Sequence, residues 1–256
     1  MSTFVMRAGR FVVLAFVLAS CAPVADDEVG AGVTEVVRGV RARGRHPAVV
    51  ALLTASGGIC SGALIAPDVV LTARHCVSLV TPEIVCPSAA NHVLLDLPPS
   101  SITVVVADDV RGASAAARGA RTLSFPSRNL CGADLALLVL DRALRGIDPI
   151  PVDTRAMPDM GDTVTVVGYG RRGDSARAGV GVRFLREAVP VRSGTRAEFV
   201  TGEGPCNGDS GSPALDGHTG RVVGVLSRGT ERCVGPDANA VWTRAWVART
   251  LLEQVR

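Results

Sequence analysis

The stretch Pro205-Cys206-Asn207-Gly208-Asp209-Ser210-Gly211-Ser212-Pro213 sets a serine among small residues, where a substrate carbonyl can approach closely. The flanking glycines permit turns that aim successive backbone N–H groups at one point, and such a nest stabilises a developing oxyanion. A serine hydroxyl becomes a useful nucleophile when a neighbouring base takes its proton. His75 is the candidate base: it closes Leu71-Thr72-Ala73-Arg74-His75-Cys76, an apolar strand-like run with a cysteine beside the histidine to pin it. The other three histidines lack that setting, since His46 precedes Pro47, His92 follows Asn91 and His218 lies in a Gly-bounded turn. Asp134 is the candidate acid, at the mouth of the apolar run in Cys131-Gly132-Ala133-Asp134-Leu135-Ala136-Leu137-Leu138. A carboxylate there is expensive to bury unless a partner such as an imidazole N–H meets its charge. Taken singly, each residue also fits a plain structural role; together they describe nucleophilic acyl transfer.

The elements that must hold these residues are short. Twenty-eight Gly and fifteen Pro punctuate runs of Val, Leu, Ile and Thr, a composition that favours an all-β fold. Strands are predicted at Ala48–Leu53, Gly62–Ile65, Val69–Leu71, Ile102–Val106 and Leu135–Leu140. A second set is predicted at Thr163–Val167, Phe184–Val191, Glu198–Thr201, Ser212–Leu215, Arg221–Leu226 and Ala240–Thr243. Ile147–Asp162, with Pro149, Pro151 and Pro158, connects the two sets, because proline does not sit in a central strand. Arg111–Arg121 reads as an exposed loop. Val247, Leu251 and Val255 recur at helical spacing and predict a C-terminal helix packed on the second lobe. A chain of 256 residues, 47% hydrophobic and 20% charged, has enough apolar surface for a sizeable core. Its +3 charge is spread along the sequence without a basic block, which argues against nucleic acid as a partner.

In their order of His, Asp and Ser, these motifs resemble the chymotrypsin/trypsin family of serine proteases over roughly Val36–Arg256. Further matches are Gly168-Tyr169-Gly170 in place of the family's Gly-Trp-Gly, Ser227-Arg228-Gly229 near its Ser-Trp-Gly, and Val241-Trp242-Thr243 before a terminal helix. The resemblance implies two six-stranded antiparallel barrels, about 36–141 and 151–243, followed by a helix at about 244–256. It implies His75 as general base, Asp134 as its orienting acid and Ser210 as nucleophile, with the N–H groups of Gly208 and Ser210 as oxyanion hole. It also implies an endopeptidase that needs neither cofactor nor metal and acts as a monomer on polypeptides. A homologue that has kept the double barrel only as a binding module is the rival reading, but such proteins commonly lose a triad residue and none is missing here. An esterase is a third.

Seven cysteines are an odd number for an exported chain. Arg7 and Arg10 precede a ten-residue apolar run, Phe11–Ser20, which ends in Leu18-Ala19-Ser20-Cys21. That pattern is similar to the lipobox of bacterial lipoproteins and makes Cys21 the expected lipidation site, so the chain is expected to be exported and either held at the cell envelope through that lipid or released. Residues 22–35 are polar and read as a linker or propeptide. The six remaining cysteines allow fifteen pairings. The family's bridges imply Cys60–Cys76, bracing the His75 loop, and Cys206–Cys233, tying the nucleophile loop to the pocket wall; with them goes Cys86–Cys131. A zinc site is disfavoured, since no Cys-x-x-Cys pair occurs.

In the family the floor of the primary pocket lies six residues before the nucleophile. Here that is Gly204, with Ser227, Gly229 and Ala240 as further substrate-binding positions. This suggests cleavage after small to medium uncharged residues, unless Glu203 or Asp237 reaches the pocket. Val36-Val37-Arg38-Gly39 resembles the Ile-Val-Gly-Gly start of mature family enzymes, so a freed Val36 amine is expected to pair with Asp209. Arg74 and Arg228 replace residues usual in the family, the second a Trp of the substrate cleft; an inward-pointing Arg74 is expected to lower the pKa of His75.

Overall fold

The computed structural model describes Met1 and residues 38–174 and 179–255. Fifteen strands form it, in chain order β1 (Val40–Arg41), β2 (Val49–Thr54), β3 (Ile59–Ala66), β4 (Val69–Thr72), β5 (Ser78–Val80), β6 (Val93–Asp96), β7 (Ile102–Val105) and β8 (Ala117–Ser124), then β9 (Ala136–Leu140), β10 (Thr163–Gly168), β11 (Phe184–Gly194), β12 (Glu198–Thr201), β13 (Pro213–Asp216), β14 (Val222–Gly229) and β15 (Ala240–Arg244). Strands β2-β3-β4-β9-β8-β7 close into one antiparallel barrel. Strands β11-β10-β13-β14-β15-β12 form a second, closed by the β11–β12 pairing, and β5 with β6 makes a separate ribbon.

Alternation along single strands explains how the barrels fill and how they dock. On β2, Val50 and Leu52 point into the first barrel with Leu64, Val70, Ile102, Val104 and Leu138, while Val49 and Ala51 point outward. The outward set meets Val167, Tyr169, Leu185 and Val225 of the second barrel in a shared cluster. Strands buried on both faces must read as nearly unbroken apolar runs, as β2 and β9 do. The second barrel has its own interior around Phe184, Phe199, Val223 and Trp242, with Phe199 and Trp242 stacked at 5.9 Å between centroids. A buried Val, Leu or Phe contributes about 1.5–3 kcal/mol, so the inter-barrel cluster makes docking strongly favourable.

Three expectations need correction. Part of the predicted loop at Arg111–Arg121 belongs to strand β8, which packs so tightly that a Cβ on Gly119 would stand 2.5 Å from the Pro99 carbonyl oxygen and 2.6 Å from Leu138. Its Ala, Gly and Arg content is poor in β-formers; pairing with β7 and β9 overrides that local preference. The first barrel does not start at the N-terminal edge of the domain, since β1 pairs with Phe184 and Leu185 of β11 and so extends the second barrel. The C-terminal helix is short: a single α turn, α1 (Arg249–Leu252), lies between 3-10 turns at Ala245–Ala248 and Glu253–Val255. Its buried Ala248, Leu251 and Leu252 join the inter-barrel cluster rather than the second lobe alone.

Candidate active site

His75 sits on a 3-10 turn, Arg74–Cys76, directly after β4. Cys76 is bonded to Cys60 of β3, so the turn is fastened to the strand beside it. Asp134 lies just before β9, which pairs with β4, and its side chain is completely buried. Its Oδ2 is 2.7 Å from His75 Nδ1, and its Oδ1 accepts the His75 backbone N–H at 3.0 Å. The Ser227 hydroxyl of β14 donates to Oδ2 at 2.7 Å. Three donors thus satisfy a carboxylate that burial would otherwise make costly.

The electrostatics follow from the same contacts. Burial alone would lower the pKa of His75, but the charge of Asp134 and its hydrogen bond prevail and hold the imidazole above its ordinary value of 6.5. Burial alone would raise Asp134, yet His75 and Ser227 hold it below the ordinary carboxylate value. Arg74 takes no part: its guanidinium turns away to donate to the carbonyls of Phe125 and Ser127 and to Asp96. The lowering of His75 expected of an inward-pointing Arg74 therefore does not arise.

Ser210 stands in the loop between β12 and β13. Its carbonyl accepts the N–H of Ser61 at 2.7 Å, and the Ser61 hydroxyl donates to the Gly208 carbonyl at 3.2 Å. Thr72 in turn donates to the Ser61 carbonyl at 2.8 Å. Gly211 has φ +80° and faces Thr72, Ser61 and the Ala73 amide so closely that no Cβ fits. The Ser210 loop is thereby seated on the strand ends that lead into His75. Among the described residues Ser210 Oγ makes no hydrogen bond; in free enzymes such bonds are often long and tighten with substrate. The N–H groups of Gly208 and Ser210 likewise have no acceptor among the described residues.

Asp209 points the other way, fully buried, accepting the N–H of Gly170 at 2.7 Å and of Cys206 at 2.9 Å. Burial outweighs these two bonds and pushes its pKa up to about 7. Gly168 and Gly170 are explained by this carboxylate, because a Cβ on Gly170 would stand 2.5 Å from it and one on Gly168 closer still. Between them Tyr169 is wholly buried, its hydroxyl 2.7 Å from the Ala107 carbonyl and 3.1 Å from that of Val49. Val36 and Cys21 lie outside the described residues.

Of the positions expected to bind substrate, Gly229 and Ala240 face each other across β14 and β15, and Ala240 is buried. Gly204 takes φ +152°. The Ser227 hydroxyl is turned to Asp134. Glu203 is held by Arg38 at 3.0 Å and by the Gly235 N–H at 2.9 Å; Asp237 is exposed. Disulfides join Cys60–Cys76 and Cys206–Cys233, as the family resemblance implies, and Cys86–Cys131, the pair those two leave over. Cys60, His75 and Cys76 lie close enough to surround a cation, but both sulfurs are engaged in their disulfide and offer no thiolate. Sequence reasoning missed Glu198, whose carboxylate meets the Arg228 guanidinium at 2.7 and 2.9 Å, because no local motif joins residues thirty positions apart.

The family model described as Trypsin matches residues 36–251. The chain belongs to the trypsin family. Within it, the serine protease SP24D of Anopheles gambiae is 32% identical over 218 residues, covering 78% of this chain and 74% of that protein. The cercarial protease of Schistosoma mansoni is 29% identical over 214 residues, covering 75% and 80%. Among solved structures, neuropsin, a serine protease expressed in the limbic system of mouse brain, superposes with a TM-score of 0.66 at 19% identity, covering 85% of this chain and 98% of that one. The trypsin fold, two six-stranded barrels and a short terminal helix, is thus present in full.

Proposed function

We propose that this chain is a serine endopeptidase using Ser210 as nucleophile, His75 as general base and Asp134 as the group that orients it. The observation that carries the reading is the buried Asp134 bonded to both Nδ1 and the backbone N–H of His75. That arrangement leaves Nε2 as the basic nitrogen. His75 takes the Ser210 proton as Oγ attacks the peptide carbonyl, and the carbonyl electron pair moves to oxygen, toward the N–H groups of Gly208 and Ser210. Collapse breaks the C–N bond, His75 hands its proton to the leaving amine, and water repeats the sequence to free the acid from Ser210.

The uncharged preference of the primary pocket is supported by Gly204 and by the engagement of Glu203 with Arg38 and Gly235. Activation is read as cleavage after Glu35, after which the Val36 amine pairs with Asp209. The support is a buried carboxylate whose only partners among the described residues are two backbone amides. We further read the chain as exported, with a lipid on Cys21 that the same cleavage leaves behind. The bacterial origin implied by that motif rests on Leu18–Cys21 alone, the relatives above being animal proteins. The enzyme is taken to act as a monomer on polypeptides.

A fluorophosphonate probe applied to wild type and Ser210→Ala, with N-terminal sequencing of the labelled band, tests this. Labelling that disappears in the variant, on a chain beginning at Val36, is expected. No labelling of a folded, processed chain overturns the enzymatic reading in favour of a binding module.

A further inference from the structure

Where the trypsin family usually carries a Trp in the substrate cleft, this chain has Arg228, and its guanidinium does not lie loose in the cleft. Both its terminal nitrogens meet Glu198 of β12, Nη1 to Oε1 at 2.7 Å and Nη2 to Oε2 at 2.9 Å, a bidentate geometry that fixes orientation as well as charge. Both side chains are largely buried, 19% and 16% exposed. The pair has two further attachments. Glu198 Oε1 accepts the N–H of Gly132 at 2.9 Å, two residues before Asp134, and a Cβ on Gly132 would come 2.8 Å from Ala197, so the Asp134 loop rests directly on β12. Arg228 Nη1 reaches the Ser227 oxygen at 3.4 Å. A hydroxyl approached by a guanidinium N–H must send its own proton elsewhere, and here it goes to Asp134 Oδ2.

We infer that Arg228 and Glu198 act as a positioning pair for Asp134, fastening its loop to the second barrel through Gly132 and orienting the Ser227 hydroxyl toward its carboxylate. The inference rests on the role proposed above for Asp134. The charged groups facing Asp134 are His75 from the 3-10 turn and, through Ser227, Arg228 of β14, with Glu198 of β12 behind it; Arg74 is turned away on Phe125, Ser127 and Asp96.

The two charges cancel at Asp134 only while both are present, which gives a test that a purely structural role does not pass. Arg228→Met leaves Glu198 unpaired and is expected to raise the pKa of His75. Glu198→Gln leaves Arg228 unpaired and is expected to lower it, each by about one pH unit, the scale of one uncompensated charge beyond direct contact in a protein-like dielectric. The double variant is expected to return near wild type. The readout is the NMR titration of the His75 ring in the full chain carrying Ser210→Ala to prevent self-cleavage, assigned by loss of the signal in His75→Gln. Shifts in the same direction, or none in either single variant, overturn the inference. If Arg228→Met does not fold, Glu198→Gln carries the test alone, and an unchanged or raised His75 pKa overturns it. Fluorophosphonate labelling with Ser210 intact separates the two readings. Opposite shifts without any labelling sustain the pair and remove the catalytic role; labelling without shifts does the reverse.

Discussion

Asp209 gives the sharpest stability prediction. Its carboxyl is fully buried against Gly168 and Gly170, bonded to two backbone amides, and displaced from 3.8 to about 7. A folded-state pKa above the unfolded one means that the native chain holds the proton longer, so stability falls as pH rises between the two values and is flat on either side. Displacement to about 7 corresponds to on the order of 4 kcal/mol, lost between about pH 4 and pH 7. A Val36 amine paired with the carboxylate offsets the effect of burial by favouring the ionised form. The assay is urea unfolding from pH 4 to 8 of two chains carrying Ser210→Ala, one with its N-terminal segment intact and one beginning at Val36. The unprocessed chain should lose most of those 4 kcal/mol over the window and the processed chain little. His75, whose pKa is also raised, contributes stability that is lost as pH rises through its folded value, but it does so in both chains and cancels. Stability curves that run parallel across the window would refute the activation reading.

Other changes have equally direct outcomes. Asp134→Asn should slow fluorophosphonate labelling by about 10⁴-fold, the scale of this change in a chymotrypsin-type triad, with little change in folding seen by circular dichroism. The labelling rate should fall as pH drops through the raised pKa of His75, with its half-point above 6.5, because the base must be neutral to accept a proton. Gly204→Asp should shift cleavage of a peptide library toward Lys and Arg, since it adds a carboxylate at the pocket floor. Gly170→Ala, whose Cβ would stand 2.5 Å from the Asp209 carboxyl, should destabilise the domain by about 1–3 kcal/mol in urea unfolding.

The parts of this molecule that could be read from its sequence are those governed by local rules. Runs such as those of β2, β9 and β14 are legible because both faces are buried, and the serine, histidine and aspartate are legible because each stands beside a glycine turn or a strand end. What escaped is set by distant partners. Strand β8 is built from weak β-formers and exists because β7 and β9 flank it. The terminal α-helix is shorter than its spacing predicts, since four-residue spacing is also satisfied by alternating 3-10 and α turns that bury Leu251 and Leu252. The Ser227 hydroxyl meets Asp134, a residue ninety-three positions earlier, a contact that no local pattern announces. The direction of Arg74 depends on carbonyls at Phe125 and Ser127 that no local pattern announces.

The placement of β1 bears on how the chain matures. Val40 and Arg41 leave the ribosome ahead of the whole first barrel, yet their strand partners are Phe184 and Leu185 in the second. The first strand must therefore wait while most of the domain is delivered, and its pairing is among the most non-local contacts in the molecule, the kind that forms slowly. A first barrel that closes early does so without the residues nearest the proposed cleavage site. Completion of the second barrel is thus a precondition for the proposed seating of a Val36 amine at Asp209, and a chain cut short before β11 lacks both Ser210 and the strand that pairs with β1.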